Sequence, residues 1–265
     1  MRGVRRSVAL FRAFRVEQSD PDTFYSLQAA DTMDQIQRDL DLAGALVLDV
    51  GGGGGYFSQA FAERGARVVL VEPEAGTPLP PELRQDSPAL TQSERHDRAV
   101  WPGRLVPSRT IAGDGNRLPF ADGTFDLSFS SNVLEHVPEP ERFIDESIRV
   151  TRPGGQVYIS HTAWFSPWGG HETSPWHFLG GEFAARRYES KNRRPPGNRF
   201  GRSLFRCDVA TVLKIVNRRP DVTVVRAEPR YYPAWMHWVI HVPVLREFVT
   251  WNLAVTLKVS APAQR

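Results

Sequence analysis

The chain has 265 residues, a formal net charge of +3 and 41% hydrophobic residues. This size fits one α/β domain with insertions and a sizeable core. The modest charge does not demand a nucleic-acid partner, and the single cysteine excludes an internal disulfide framework and a metal cluster built from cysteines alone. Apolar runs are too short to cross a bilayer or to form a secretory signal core, so a cytoplasmic location is predicted.

The first 44 residues are predicted to form a helical cover. Residues 1–16 mix arginines with apolar side chains, which suits either a helix packed on its own domain or a segment lying on an anionic membrane. A frayed arm or a packed helix is preferred over the membrane segment. Ser19-Asp20-Pro21 predicts a helix start, and a helical pattern then runs to about Leu42.

Residues 45–162 are predicted to form a cofactor-binding core of alternating strands and helices. Strands are expected near 45–50, 66–71, 108–112, 125–130 and 156–162, with helices near 56–64 and 140–150. The proline-rich stretch 73–107 reads as a loop with room for one short helix near 92–100.

Residues 163–204 read as an insertion over the acceptor, and 205–265 as the last part of the core. This last part contains a helix near 208–217, strands near 222–227 and 251–259, and an aromatic insertion at 229–250. Seven strands with interleaved helices favour a doubly wound sheet.

Five consecutive glycines, Gly51 to Gly55, follow the first predicted strand. Such a turn lets a ligand lie against bare backbone at a helix N-terminus. The dinucleotide fingerprint Gly-x-Gly-x-x-Gly requires a third small residue, yet its three registers here place Tyr56, Phe57 or Ser58 at that position. The alternative is a flexible glycine turn that connects two elements and binds no ligand.

The acidic residue and alternate glycines at Asp49, Gly51, Gly53 and Gly55 resemble the nucleotide loop of the class I S-adenosylmethionine-dependent methyltransferases. The segment from Leu118 to Asp126 is an independent match to the same family, and the Asn-Val-Leu-Glu-His-Val stretch is most similar to its type 11 subfamily. The resemblance covers roughly residues 46–162, whereas the flanks are similar mainly to uncharacterised actinobacterial members. It implies a Rossmann-like, mostly parallel seven-stranded sheet with an antiparallel last strand, and S-adenosylmethionine as cofactor.

Four groups at strand ends are predicted to bind that cofactor, because an open α/β sheet binds its ligand there. The acid of the glycine turn would face the methionine ammonium, a carboxylate after strand two the ribose, and an acid after strand three the adenine. The residues after strand four would line the methionine side, although Asn132 could instead cap the helix that contains Glu135. The predicted cofactor residues are Asp49, Gly51, Gly53, Gly55, Glu72, Asp114, Gly115, Ser131 and Asn132.

For a hydroxyl acceptor, a histidine is the natural base near neutral pH. His136 follows strand four, and His161 ends strand five, so both are predicted on the ligand side of the sheet. His171 and His177 are further candidates for the base, and each of the four is more often a structural histidine.

The insertion is expected to form an acceptor lid with aromatic walls and a few polar groups. A metal site on His171, Glu172 and His177 is left open but not adopted, because the histidine spacing departs from the zincin pattern and Pro175 interrupts a single helical face. The predicted substrate residues are Trp164, His171, Glu172, Trp176 and His177.

Eight basic residues between Arg186 and Arg206 could bind phosphate or a membrane, and a solvated loop is the preferred interpretation. The aromatic insertion at 229–250 is either core cover, an interface or a contact at the inner membrane face.

Together these features predict a methyltransferase that methylates oxygen on a small, sugar-like or lipid-linked acceptor, with peripheral membrane contact left open. A methyltransferase-fold protein that binds without catalysis, or an enzyme acting on RNA, are the alternatives. Nucleic-acid bases are disfavoured because Ser131-Asn132-Val133-Leu134 lacks the Asn/Asp-Pro-Pro-aromatic motif.

Overall fold

The computed structural model describes residues 3–14, 20–73 and 110–261. These residues form a seven-stranded sheet in the order β3-β2-β1-β4-β5-β7-β6. Strand β7 runs antiparallel to both of its neighbours, and the other pairings are parallel, which confirms the predicted fold class. The strands are β1 (Leu46–Val50), β2 (Arg67–Glu72), β3 (Thr110–Ala112), β4 (Phe125–Ser131), β5 (Thr151–Thr162), β6 (Val222–Pro229) and β7 (Asn252–Val259).

Helices cover the sheet and its edges. The predicted helix start at Pro21 is confirmed, since the Asp20 side chain accepts a hydrogen bond from the Thr23 N–H at 3.1 Å. That helix ends at Ile36, earlier than about Leu42, and a turn follows it. The helices are α1 (Val4–Phe14), α2 (Pro21–Ile36), α3 (Tyr56–Ala62), α4 (Pro140–Val150), α5 (Gly181–Asn192), α6 (Val209–Asn217) and α7 (Leu245–Val249).

The core has two layers because successive strand residues point to opposite faces of the sheet. Val47 packs in one cluster with Phe57 and Phe61 of α3. Its neighbour Leu48 packs on the other face, in the cluster that contains Phe143 of α4. With both faces covered, the ends of the strands are left to carry the polar chemistry.

Helix α1 packs on its own domain, as predicted. The Arg6 guanidinium pairs with Asp31 of α2 at 2.6 Å and donates a hydrogen bond to the backbone carbonyl of Arg230 at 2.8 Å. Leu10 is buried beneath the helix, whereas Val4 points outward. Among the described residues, no helix is long and apolar enough to cross a membrane.

Two predictions about local structure are wrong. Strand β5 begins at Thr151 rather than near Gln156, because Thr151 pairs with Phe125 across an irregularity in the ladder. Part of the basic segment is helix α5 rather than loop, since its prolines come only after Arg193, whose left-handed backbone (φ 54°) ends the helix. The helix considered near 92–100 lies outside the described residues.

Candidate active site

The glycine turn joins β1 to α3 through backbone that other residues adopt poorly. Gly51, Gly53 and Gly55 have φ values of 72°, 54° and 74°. Gly52 has an ordinary φ, but a Cβ there would lie 2.6 Å from the Leu70 side chain and would overlap the Asp49 carboxylate. Bare backbone is therefore a steric requirement of this turn.

Asp49 lies fully buried beneath the turn. The Ser58 hydroxyl donates a hydrogen bond to its Oδ2 at 2.6 Å, while its Oδ1 has no hydrogen-bond partner among the described residues. The pKa of Asp49 is raised to about 7, because burial and the nearby charge of Glu72 together outweigh the hydrogen bonds from Ser58, which lower it. The carboxyl group is thus poised to ionise near neutral pH if a cation approaches the turn.

Glu72 ends β2 and accepts a hydrogen bond from the backbone N–H of Gly53. This contact fastens the glycine turn to the neighbouring strand. Asp114, after β3, is exposed and accepts a hydrogen bond from the Asn116 N–H at 2.9 Å. Gly115 is needed beside it, because a Cβ there would lie 2.6 Å from a ring carbon of Phe143.

Ser131 is the last residue of β4, and Asn132 follows it. Asn132 has a left-handed backbone (φ 58°), and its side-chain oxygen accepts a hydrogen bond from Asn252 at 2.7 Å. The alternative role of Asn132 as a helix cap is wrong, since the short helix Leu134–His136 has Val133 at its cap position and no side-chain cap bond.

The four predicted groups of cofactor residues therefore lie side by side at the carboxyl ends of neighbouring strands. Strands β3, β2, β1 and β4 are consecutive and parallel, so their carboxyl ends meet at one edge of the sheet. The structure brings together the residues that the sequence assigned to cofactor binding.

Arg230 follows β6 and contacts Ser131, one of the predicted cofactor residues. It was not singled out from the sequence. Its side chain is buried (1% exposed) and donates hydrogen bonds to the hydroxyls of Thr32 at 2.7 Å, Ser131 at 2.8 Å and Ser160 at 3.0 Å. No carboxylate of the described residues forms an ion pair with it. A buried guanidinium held only by neutral oxygens raises the local positive potential beside the β4 end.

A cavity of about 790 Å³ opens next to Asn132. One part of its wall is aromatic and comes from α1, α2, the 163–204 insertion, the start of the 229–250 insertion and Trp251 just after it. The other part is polar. The lining residues are Phe11, Phe14, Pro21, Phe24, Tyr25, Asn132, Glu135, His136, Thr162, Trp168, His171, Glu172, Asn198, Tyr231 and Trp251.

The polar part of the wall is centred on Glu135, His136 and His171. One potential ligand atom from each of the three side chains lies within 4.8 Å of the others. Glu135 Oε1 accepts a hydrogen bond from the Thr162 N–H at 2.9 Å, and His136 Nδ1 lies 2.6 Å from the Ser203 carbonyl oxygen. Burial lowers the pKa of His171, which keeps its imidazole neutral.

The two histidines predicted as bases have different surroundings. His136 lines the cavity, whereas His161 is fully buried in β5 and does not. Burial lowers the pKa of His161 to about 4. Of the two, His136 is the one that a hydroxyl group in the cavity can approach.

Two of the five predicted substrate residues, His171 and Glu172, line the cavity. Trp164 and His177 are buried inside the lid, where His177 Nε2 lies 3.0 Å from the Trp164 carbonyl oxygen. Trp176 is on the surface (41% exposed), beneath the guanidinium of Arg187. Sequence reasoning did not show which side chains of the 163–204 insertion face the cavity.

Comparison with known proteins identifies the family. Residues 48–159 match the family described as methyltransferase domain. An uncharacterised methyltransferase of Mycobacteroides abscessus is 42% identical over 262 residues, covering 96% of this chain and 94% of that protein. An uncharacterised methyltransferase of Mycobacterium tuberculosis is 42% identical over 261 residues, with the same coverage. The chain belongs to the S-adenosylmethionine-dependent methyltransferases.

The solved structure of an S-adenosylmethionine-dependent methyltransferase from Mesorhizobium loti shares the fold of this methyltransferase, with a TM-score of 0.52 and 17% identity. The match covers 86% of this chain and 97% of that one. The predicted family, enzyme class and cofactor are therefore confirmed. The residues that bind the cofactor, and those that act on the acceptor, stay predictions.

Proposed function

We propose that this methyltransferase transfers a methyl group from S-adenosylmethionine to a hydroxyl oxygen of an amphiphilic acceptor, either lipid-like or sugar-like. The observation that carries the proposal is the cavity beside Asn132. Its wall is largely aromatic, and its polar side chains are concentrated around Glu135, His136 and His171. An acceptor with an apolar or sugar-like body and a hydroxyl at one end matches this division.

The aromatic wall supports a body with a flat or aliphatic surface. Phe14 packs edge-on to Trp168 with ring centroids 5.1 Å apart, and Trp168 lies 4.4 Å from the ring of Trp251. A cavity of about 790 Å³ is within the usual range for a small-molecule site of 300–1,000 Å³. Burial of an apolar acceptor body against these rings would supply most of the binding free energy.

The cofactor would occupy the edge formed by the ends of β3, β2, β1 and β4. Asp49 and the glycine turn would hold its methionine part, Glu72 its ribose and Asp114 its adenine. Asn132 belongs both to this edge and to the cavity wall, so the reactive methyl group would enter near the polar end of the cavity. The two substrates would then meet without a large domain movement.

The chemistry requires little of the protein beyond orientation, exclusion of water and removal of the hydroxyl proton. The oxygen–methyl bond forms as the methyl–sulfur bond breaks, and the electron pair of that bond stays on sulfur. His136 lines the cavity and could accept this proton as a general base.

A lipid-linked acceptor would be reached at a membrane surface. Helix α1 exposes Val4 and Val8 beside Arg5 and Arg12, and the nearby segment 229–250 exposes large apolar side chains. Arg6 of α1 connects the two elements by donating hydrogen bonds to the backbone carbonyls of Arg230 and Tyr232. An apolar surface with flanking arginines suits peripheral contact with anionic lipid. The exposed residues of the segment are Trp235, Trp238, Val242, Val244, Leu245 and Phe248.

The test is turnover of methyl-labelled S-adenosylmethionine with matched acceptors. Long-chain alkyl glycosides, the free sugars and short-chain alcohols would be compared, with label transfer located by mass spectrometry. We expect methylation of an oxygen on the amphiphilic compounds above the free sugars. Tight cofactor binding with no turnover on any hydroxyl acceptor would instead support a non-catalytic binding protein.

A further inference from the structure

We propose that Glu135, His136 and His171 bind a divalent transition-metal ion, such as Zn²⁺ or Mn²⁺, at the polar end of the cavity. Two imidazoles and one carboxylate form a donor set that suits these ions better than Mg²⁺ or Ca²⁺, which prefer oxygen. Metal binding itself does not depend on the proposed function; only its consequence for methyl transfer does.

The three side chains are already close enough to share an ion. Their ligand atoms lie within 4.8 Å of one another. An ion with bonds of roughly 2.0–2.2 Å separates tetrahedral ligand atoms by about 3.4 Å, so small side-chain rotations would complete the site.

Glu135 provides the strongest sign of a missing cation. The residue is only 1% exposed, and its Oε2 has no hydrogen-bond partner among the described residues, whereas Oε1 is held by the Thr162 N–H. A buried carboxylate oxygen without a donor is costly. Because Glu135 also lines the cavity, a cation placed between it and the two histidines would satisfy this oxygen.

His136 has the surroundings of a metal ligand. Its Nδ1 lies 2.6 Å from the Ser203 carbonyl oxygen, which can only accept, so Nδ1 carries the proton. The lone pair is therefore on Nε2, the free side of the ring. A backbone carbonyl that fixes the tautomer in this way is common for metal-bound histidines.

His171 brings the third ligand from the lid. It is a non-glycine residue with a left-handed backbone (φ 49°), held by a hydrogen bond from its N–H to the Trp168 carbonyl at 2.8 Å. Such backbone is uncommon and concentrates at functional sites. The His171 and His136 rings have centroids 5.1 Å apart, so an ion between them would tie the lid to the end of β4.

Three protein ligands would leave at least one coordination position for the acceptor. A hydroxyl bound there would have a lowered pKa and would lose its proton to water, after which the oxygen would take the methyl group. In that form His136 is a ligand and not the base. This combination of ligands could not be predicted from the sequence, because the lid histidine is far from Glu135 along the chain.

The experiment uses the full chain without a histidine tag, treated with chelator and then titrated with Co²⁺ or Zn²⁺. Calorimetry and the visible absorption of Co²⁺ report binding and ligand type without any need for turnover. We expect one equivalent to bind, and Glu135→Gln and His171→Ala each to weaken binding at least tenfold. His241→Ala, at an exposed histidine outside the cavity, should bind as the unaltered chain does.

Circular dichroism would verify the fold of each variant, and His171→Asn provides a second lid variant that retains a polar side chain. Absence of binding at millimolar metal, or unchanged affinity in folded Glu135→Gln and His171→Ala, would overturn the proposal. Cofactor affinity measured on the same samples reports separately on the proposed function. A chain that binds metal but never turns over the cofactor would refute the function and leave the metal site intact.

Discussion

Ser58, in the first turns of α3, donates a hydrogen bond to the buried carboxylate of Asp49 at 2.6 Å. The two residues flank the glycine turn, so this bond closes the turn from below while Glu72 fastens it from the side. The geometry fixes the backbone that would face the cofactor. It also keeps an acid in a place where burial opposes its ionisation.

Asp49 makes stability depend on pH. Its pKa is about 7 in the fold and near 3.9 in an unfolded chain, so the folded state binds the extra proton between these values. The stability contributed by this group is therefore present at low pH and is lost as pH rises through about 7. We compare the free energy of unfolding of Asp49→Asn with that of the unaltered chain, both without cofactor. The stabilisation by the substitution should be about 2–3 kcal/mol larger at pH 8 than at pH 5.

Urea unfolding at the two pH values measures this difference. Asp41→Asn is a suitable control, because Asp41 is exposed and its replacement retains the oxygen that accepts from Ala43. An equal effect of Asp49→Asn at pH 5 and pH 8 would contradict the assigned pKa. The same ionisation predicts that affinity for the positively charged cofactor rises with pH across this range.

Glu72→Ala should weaken cofactor binding ten- to hundredfold, because a charged hydrogen bond contributes about 1.5–3 kcal/mol. The variant also frees the Gly53 N–H that now donates to Glu72. Calorimetric titration with S-adenosylhomocysteine measures the loss. Glu63→Ala, at an exposed carboxylate after α3, should retain full affinity, and an unaltered affinity in Glu72→Ala would remove this residue from the cofactor site.

His136→Ala should lower turnover by about a hundredfold or more, whether His136 acts as a base or as a metal ligand. Cofactor affinity should stay within about twofold, because the side chain faces the cavity rather than the glycine turn. Steady-state methyl transfer and cofactor titration on the same preparation separate the two effects. Full activity in this variant would exclude both roles for His136.

Arg230→Met should destabilise the fold by about 2–4 kcal/mol. The change removes a buried guanidinium and leaves the hydroxyls of Thr32, Ser131 and Ser160 without its donors. Thermal and urea unfolding measure the loss. Arg206→Met, at an exposed arginine, should change stability by less than about 0.5 kcal/mol, and a similarly small effect at Arg230 would show that its buried bonds contribute little.

The position of the predicted cofactor residues at the carboxyl ends of the strands could be predicted, because the sequence patterns that indicate it are local. Asp49, Glu72 and Asp114 each follow a run of apolar residues with strand character, and parallel strands bring such residues to one edge. The glycine turn was equally readable, since glycine is the residue that left-handed backbone favours.

The cavity could not be predicted in the same way. Its aromatic wall combines Phe14, Trp168 and Trp251, which come from distant segments and meet only through packing. Nothing in the sequence separates the buried Arg230 from the many exposed arginines. The inward side chains of the lid depend on turns around Gly170 and His171, and short-range patterns do not determine these turns.

Helix α1 contributes Phe11 and Phe14 to the cavity, whereas the glycine turn follows β1 at the end of the sheet. The helix is attached by buried Leu10 and Ala13 and by Arg6, which pairs with Asp31 and donates a hydrogen bond to the carbonyl of Arg230. A deletion of the first helix, or a bulky fusion that displaced it, would therefore produce a protein that still captures its nucleoside and has lost discrimination among acceptors. Expression designs that alter the N-terminus would thus change the apparent specificity of the enzyme while every assay of cofactor uptake looked normal.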